Sequence, residues 1–138
     1  MLFLLNIFMI AAMKFFFVLF TFLFSILGCS KLNDTEKPVI TIISPNSNDT
    51  IPASLSEVNL QFTATDNIAL SSLILEINDT NGSNYFADSK EIYGKNYSYK
   101  NSFVVLKNTK LKALVMKVHV LDDAKNECVS TRTFYLAP

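Results

Sequence analysis

Strict alternation of apolar and polar residues is the feature that most constrains the fold of this chain. In EVNLQFTATD, residues 57–66, every second side chain from Val58 to Ala64 is apolar and those between are polar. The segments SLILEIND at 72–79 and LKALVMKVHVLDD at 111–123 show the same period of two. Because successive side chains of a strand point to opposite faces, this period predicts strands with one buried and one exposed face.

Shorter runs rich in β-branched residues accompany these three segments. The further predicted strands are VITIIS at 39–44, NSFVVL at 101–106 and ECVSTRTFYLAP at 127–138. Loops are expected at 44–54 and 78–84, where Pro, Asn, Ser and Gly collect, and residues 85–100 stay undecided. No helical period of useful length follows residue 29. About seven short strands with polar turns predict an all-β chain folded as an antiparallel sandwich.

The first 28 residues differ from the rest of the chain, since 23 of them are hydrophobic. After Lys14, residues 15–27 form a mostly apolar run that is short for a bilayer core, which needs about 20 residues. That length fits the apolar region of a signal peptide, so we expect residues 1–28 to be cleaved. A span that began at Met1 would bury Lys14 at its middle at a high cost, which favours Met13 as the true start.

The motif ILGC at residues 26–29 resembles the lipobox of bacterial lipoproteins. This resemblance implies that the Cys29 thiol takes a diacylglyceryl group and that small Gly28 admits the signal peptidase. Lipidated Cys29 would then be the first residue of the mature chain and its anchor in the membrane. The alternative is a cysteine at the end of a membrane helix, and the shortness of the apolar run speaks against it.

The mature chain would begin with a polar tether, residues 29–37, followed by one domain, residues 38–138. If Cys29 carries lipid, Cys128 is left single, and its place at the start of a strand predicts a buried, inert thiol. A catalytic cysteine needs a base, and nothing in the sequence brings the single histidine, His119, near it. We expect His119 to be a half-exposed strand residue.

Charge in the mature chain is balanced overall but unevenly distributed. Eleven cationic and twelve anionic residues speak against a nucleic-acid partner, which needs a clustered positive excess. Residues 29–91 hold three cations and nine anions, whereas residues 92–138 hold eight cations and three anions. Two interpretations stay open: strands of the two halves pair and neutralise each other, or an acidic face binds a metal or a partner.

Three segments together resemble the Ig-like or cadherin-like domains of exported bacterial proteins: DTEKPVITIISP, LQFTATDNIALSSLILEIND and VMKVHVLDDAKNE. The resemblance extends over nearly all of residues 34–137 and is strongest to small lipoproteins of Bacteroidota-type bacteria, whose function is unknown. It implies an Ig-like antiparallel β-sandwich. The pentapeptide DDAKN resembles the Asp-x-x-Gly-Asn turn of such domains, except that Lys125 stands where glycine is usual.

An Ig-like topology brings the chain start, the loop after the second strand and the loop before the last strand to one end. These segments carry Asp34, Glu36, Asp66, Asn67, Asp122, Asp123 and Asn126. Oxygen ligands converging from three segments are what Ca²⁺ requires, so the five carboxylates form a candidate calcium site. The alternative is that these side chains only close turns by bonding their own backbone.

Two further features are candidate glycan sites. Asp49-Thr50-Ile51 resembles the O-glycosylation motif of Bacteroidota-type bacteria, which implies a glycan on Thr50. The four tyrosines between residues 85 and 99 would serve either as a glycan-stacking platform or as filler at a sandwich edge.

The sequence contains no Gly-rich phosphate loop, no zinc-ligand spacing and no nucleophile elbow, so we expect no enzymatic activity. We expect an exported outer-membrane lipoprotein, on either face of that membrane, whose Ig-like domain is a non-catalytic binding or structural module. Its partners would be the membrane, through the lipid, and an envelope protein or glycan. The alternative function is that of a calcium-dependent carbohydrate-binding accessory protein.

Overall fold

The computed structural model describes residues 34–52, 57–105 and 110–138. The signal peptide, the lipidation site Cys29 and most of the tether lie outside the described residues, so the predictions for them stay predictions. Residues Asn33–Pro138 form one compact unit. Within the described part of the chain, no helix has the length and apolar character needed to cross a membrane.

The described residues form eight strands arranged in two sheets. The strands are β1 Val39–Ser44, β2 Thr50–Ile51, β3 Glu57–Thr65, β4 Leu70–Asp79, β5 Asn84–Glu91, β6 Asn96–Val104, β7 Lys112–Asp122 and β8 Glu127–Leu136. One sheet has the order β1-β3-β6 and the other the order β2-β8-β7-β4-β5. All pairs are antiparallel except β2 with β8. The prediction of an all-β antiparallel sandwich is confirmed.

The alternating positions build the core between the sheets. In β3 the residues from Val58 to Ala64 alternate buried with more exposed, and Leu60 and Phe62 are fully buried. Leu75 of β4 lies opposite Val118 of β7, and both are fully buried. The period of two in the sequence therefore corresponds to one sheet face turned inward on each strand.

Two parts of the predicted strand pattern were incomplete. Strand β2 lies inside the stretch 44–54, which was expected to be a loop, and it pairs with the end of β8. The undecided stretch 85–100 contains most of β5 and the first half of β6, which belong to different sheets. The chain crosses between the sheets at residues 92–95, where Gly94 has a φ of +84°.

Part of the uneven charge is neutralised between paired strands of one sheet, as the first of the two interpretations predicts. Strands β4 and β5 come from the acidic half and β7 and β8 from the basic half, and all four share one sheet. Glu76 lies directly opposite Lys117, and the Lys112 Nζ is 3.8 Å from an Asp79 oxygen. Opposite charges facing each other on neighbouring strands favour this pairing.

Candidate functional site

Three carboxylates meet at one end of the sandwich. Asp34 precedes β1, Asp66 follows β3 and Asp122 ends β7, and one oxygen of each lies within 4.8 Å of the other two. Asp122 is fully buried, while Asp34 and Asp66 are half-buried. We call these three residues the acidic cluster. The three segments that hold it are those that the Ig-like topology brings together.

Each aspartate of the acidic cluster also closes a local turn. Asp66 Oδ1 accepts hydrogen bonds from the backbone N–H of Ile68 and of Ala69, both at 2.8 Å. Asp122 Oδ1 accepts the Asn126 N–H at 2.8 Å, and Asp34 Oδ1 accepts the Glu36 N–H at 3.1 Å. The turn-closing role is thus present at all three positions, and it uses one oxygen of each side chain.

Two asparagine side chains join the segments to one another. The Asn67 amide donates to Asp34 Oδ1 at 3.0 Å. The Asn126 amide donates to Asp122 Oδ2 at 2.7 Å and to the Asp34 carbonyl at 3.1 Å. These bonds hold the chain start, the β3–β4 loop and the β7–β8 loop in one arrangement, so the carboxylates are positioned by the fold.

One oxygen of the acidic cluster lacks a partner. Asp66 Oδ2 is buried and accepts no hydrogen bond from the described residues. The Lys90–Asp88, Lys112–Asp79 and His119–Glu127 pairs among those residues involve other side chains. Carboxylates of like charge at this separation repel one another. A hard cation held by carboxylate oxygens would remove this repulsion and satisfy Asp66 Oδ2.

The structure separates the other two predicted carboxylates from the acidic cluster. Glu36 and Asp123 are exposed, and neither belongs to the group of three. Glu36 acts through its backbone N–H, and the Asp123 N–H donates to the Ala69 carbonyl at 3.0 Å. Three of the five predicted carboxylates therefore lie together, and calcium binding by the predicted residues stays a prediction.

The tyrosines between residues 85 and 99 do not form one platform. Tyr99 is buried and stacks on Phe62 with ring centroids 4.8 Å apart, so it belongs to the core. Tyr85 lies on β5 and Tyr97 on β6, which are in different sheets. Tyr93 is 74% exposed in the β5–β6 loop.

The remaining candidate residues occupy ordinary strand positions. Thr50 is exposed on β2, opposite Tyr135 of β8. Cys128 is a free thiol that is half-buried on β8, so the prediction of a buried thiol was wrong in degree. His119 is half-exposed, as expected, and its Nε2 lies 3.0 Å from a Glu127 oxygen.

A polar network between the two sheets was missed by sequence reasoning. Asp88 and Lys90 lie opposite Leu75 and Leu73, so both stand on the inward face of β5. The Lys90 Nζ is 2.9 Å from Asp88 Oδ2 and lies over the Tyr99 ring of β6, 5.0 Å from its centroid. The available signal was two charged residues two positions apart, which interrupt the apolar face of a strand.

Comparison with protein families agrees with the architecture. The profile of the family described as a bacterial Ig domain matches residues 38–113, which extend from the start of β1 into β7. Similar solved structures include the crystal structure of the periplasmic chaperone SfaE, at 14% identity and a TM-score of 0.46. That alignment covers 72% of this chain and 58% of the chaperone chain. No curated protein matches the chain.

Proposed function

The chain belongs to the bacterial Ig domain family, and from this premise we propose that it is a lipid-anchored cell-envelope protein with a non-catalytic binding or structural role. In this proposal the protein is exported, residues 1–28 are cleaved, and lipidated Cys29 holds the mature chain in the outer membrane. The Ig-like sandwich then meets an envelope protein or a glycan at the periplasmic or the outer face.

The attachment of Asp34 at one end of the sandwich carries this proposal. Asp34 lies five positions after Cys29. It accepts hydrogen bonds from the side chains of Asn67 and Asn126, which lie in two separate loops. A short chain that ends on a rigid domain suits an anchored module, because the anchor then limits how the domain is presented. The remaining loops and strand edges stay available for a partner.

Mass spectrometry of the protein from a bacterial membrane fraction tests the anchor. The Cys29→Ser chain should accumulate as an uncleaved precursor without lipid, because the thiol is the acceptor. The Cys128→Ser chain is the matched control and should mature normally. Normal cleavage of the Cys29→Ser chain would overturn the anchor and the localisation together.

Protease treatment of intact cells tests the orientation. Loss of the protein without lysis would assign it to the outer face, and protection that ends on lysis would assign it to the periplasmic face. Cross-linking in the same cells, from exposed lysines such as Lys95 and Lys100, would then recover the neighbouring protein or glycan. Recovery of the lipidated chain without any neighbour would contradict the binding role.

A calcium-dependent carbohydrate-binding accessory role is the second candidate. The acidic cluster supports it, because its three oxygens lie within 4.8 Å of one another and Asp66 Oδ2 is buried without a partner among the described residues. Backbone carbonyls and water would complete the six to eight oxygen ligands that Ca²⁺ takes. Tyr93 is exposed in the neighbouring β5–β6 loop and offers a ring on which a sugar can stack.

Thermal unfolding of the mature chain in calcium and in chelator tests this site. Binding to the folded state should raise the melting temperature in calcium, and Asp66→Asn should remove that increase. Asp79→Asn is the matched control, because Asp79 Oδ1 also closes a turn, at the opposite end, by accepting the N–H groups of Asn81 and Ser83. Equal melting temperatures in calcium and chelator would exclude the calcium site.

The glycan part of this role has its own measurement. Binding of an envelope polysaccharide in calcium should be lost on Tyr93→Ala and kept on Tyr85→Ala, since Tyr85 lies at the other end of the sandwich. Binding that survives chelator and both substitutions would place the glycan elsewhere.

We also propose Thr50 as an O-glycan acceptor on the basis of its motif and its exposure on β2. The intact mass of the mature chain should decrease by the mass of the glycan in the Thr50→Ala variant. The control is Thr131→Ala, at another exposed strand threonine, which should keep the glycan. An unmodified mass of the natural chain would remove this proposal.

A further inference from the structure

Two exposed apolar side chains stand at the same end of the sandwich as the acidic cluster. Ile68, in the β3–β4 loop, is 37% exposed, and Tyr93, in the β5–β6 loop, is 74% exposed. Hydrogen bonds join the two loops, since the Asp66 N–H donates to the Lys95 carbonyl and the Leu70 N–H donates to the Gly94 carbonyl. Two neighbouring loops therefore present apolar tips on a backbone that is held in place.

The length of the tether limits how far this end can move from an anchored lipid. From Cys29 to Asp34 the chain advances five residues, which reach at most about 18 Å when fully extended. Asp34 itself is bonded to the β3–β4 and β7–β8 loops. A chain anchored at Cys29 therefore keeps Ile68 and Tyr93 within reach of the bilayer, while the start of β7 lies at the other end of the sandwich, about 36 Å away along an 11-residue strand.

The charges around these tips fit one kind of lipid surface. Glu36, Glu91 and Asp123 are exposed at this end, in addition to the acidic cluster. Only Lys37, Lys95 and Lys125 oppose these six carboxylates among the neighbouring residues of the described chain. A net negative end repels anionic headgroups and attracts headgroups that present an ammonium group outward.

We propose that this end of the domain rests on a lipid surface, with Ile68 and Tyr93 entering the headgroup layer and the surrounding carboxylates facing the ammonium groups of zwitterionic lipids. Tyrosine suits this layer because its ring is apolar and its hydroxyl is polar. The Tyr93 hydroxyl donates to a Glu91 carboxylate oxygen, so it keeps a hydrogen-bond partner there. Two side chains alone would bind a lipid surface weakly. The lipid at Cys29 keeps them at a high effective concentration beside the membrane, so a weak contact is enough. The inference rests on the proposed lipid at Cys29, and it assigns the acidic end to the membrane.

The chain contains no tryptophan, so a single introduced indole reports on one position. The mature chain, residues 29–138 with Cys128→Ser, would be coupled through the Cys29 thiol to a maleimide lipid in phosphatidylethanolamine–phosphatidylcholine vesicles that carry bromine on the acyl-chain carbons nearest the headgroups. The compact unit Asn33–Pro138 contains the whole described core, so this chain is expected to fold. The reporters are Tyr93→Trp, Ile68→Trp and, as the control at the far end, Leu111→Trp, where the natural side chain is 62% exposed.

Bromine quenches indole only on close approach, so we expect loss of fluorescence for Tyr93→Trp and Ile68→Trp and none for Leu111→Trp. Vesicles of phosphatidylglycerol should reduce the quenching, because the acidic end is repelled. Equal quenching by bromine at all three positions would overturn the proposal. Stronger quenching in phosphatidylglycerol vesicles would overturn it as well. If bromine does not quench the Tyr93→Trp chain but envelope polysaccharide changes its fluorescence, the proposal would be wrong and this end would bind a glycan instead of lipid. Because the coupling supplies the anchor chemically, failure here is distinct from failure of lipidation in the cell.

Discussion

Tyr99 of β6 donates its phenolic hydrogen to Asp88 Oδ2 of β5 at 2.7 Å, and this bond joins two strands that belong to different sheets. Both strands are edges of their sheets, so among the described strands no backbone ladder connects the sheets on this side of the sandwich. Lys90 completes the contact through its 2.9 Å ion pair with Asp88, and the Asn101 amide donates to the Tyr99 oxygen at 3.1 Å. Charged side chains that point inward from an edge strand also discourage pairing with another chain.

Tyr99 should ionise at unusually high pH. Burial raises the pKa of Tyr99 to about 12, and its bond to the Asp88 carboxylate acts in the same direction. Ultraviolet absorbance of tyrosinate should therefore show a late step near pH 12 that is absent in Tyr99→Phe and kept in Tyr85→Phe. Because the folded-state pKa lies above the unfolded value of about 10, the stability due to this group is present below about pH 10 and lost as pH rises through the folded pKa. A late step that persists in Tyr99→Phe would contradict this assignment.

Asp88 should make the fold sensitive to acid. Burial raises the pKa of Asp88, but the hydrogen bonds from Lys90 and Tyr99 outweigh it, and the net shift is downward. The resulting stability is present above the unfolded pKa of about 3.9 and is lost as pH falls through the lower folded value. At neutral pH, Asp88→Asn should therefore lower the free energy of unfolding, measured in urea, by about 1–3 kcal/mol. Below about pH 4, the Asp88→Asn chain should lose less stability than the natural chain. Exposed Asp123→Asn is the control, and an acid response of Asp88→Asn equal to that of the natural chain would refute the prediction.

Lys125→Gly should stabilise the domain. Lys125 has a φ of +73°, the left-handed region that costs a residue with a Cβ about 1–2 kcal/mol and glycine almost nothing. We expect the free energy of unfolding to rise by about 1 kcal/mol, measured in urea. Lys95→Gly, at an exposed position of the same end where φ is not positive, should instead lower it, because glycine loses more entropy on folding. The opposite order of the two variants would show that relief of strain is not the cause.

Neighbouring residues of β4 should differ sharply in their tolerance of truncation. Leu75 is fully buried and Ile74 is 42% exposed on the opposite face of the same strand. Leu75→Ala should cost about 2–5 kcal/mol in the free energy of unfolding, since it leaves a cavity, whereas Ile74→Ala should cost under about 1 kcal/mol. Urea unfolding of both variants checks this, and similar losses would mean that the two faces are not distinguished as described.

The strands that the sequence predicts best are those whose own inward-facing side chains are nearly all apolar. Residues 57–66 and 111–123 were expected as strands and correspond to β3 and β7 within a residue or two. Strand β5 was not recognised, because Asp88 and Lys90 occupy inward positions and break the alternation. Strand β2 has two residues and exists through its pairing with β8, so no local pattern identifies it.

The candidate site shows the same division. Its three segments were expected together on the strength of the Ig-like resemblance, and the structure brings Asp34, Asp66 and Asp122 within 4.8 Å. Which of the five carboxylates converge was beyond the sequence, because loop conformation directs Glu36 and Asp123 to solvent. The unpartnered Asp66 Oδ2 likewise follows from the turn that occupies the other oxygen of that side chain.

The sequence by itself determined that this chain is an all-β sandwich, because a period of two is a local property that any half-buried strand must carry. It also determined the apolar run that ends at Cys29, on which the proposed anchor depends. Only the tertiary structure decided which sheet each strand joins and which polar side chains meet, such as Asp88 with Tyr99 or Asn126 with Asp34. Asp88 and Tyr99 lie on edge strands of different sheets, and Asn126 lies 92 residues from Asp34 in the chain, so neither contact follows from a local pattern.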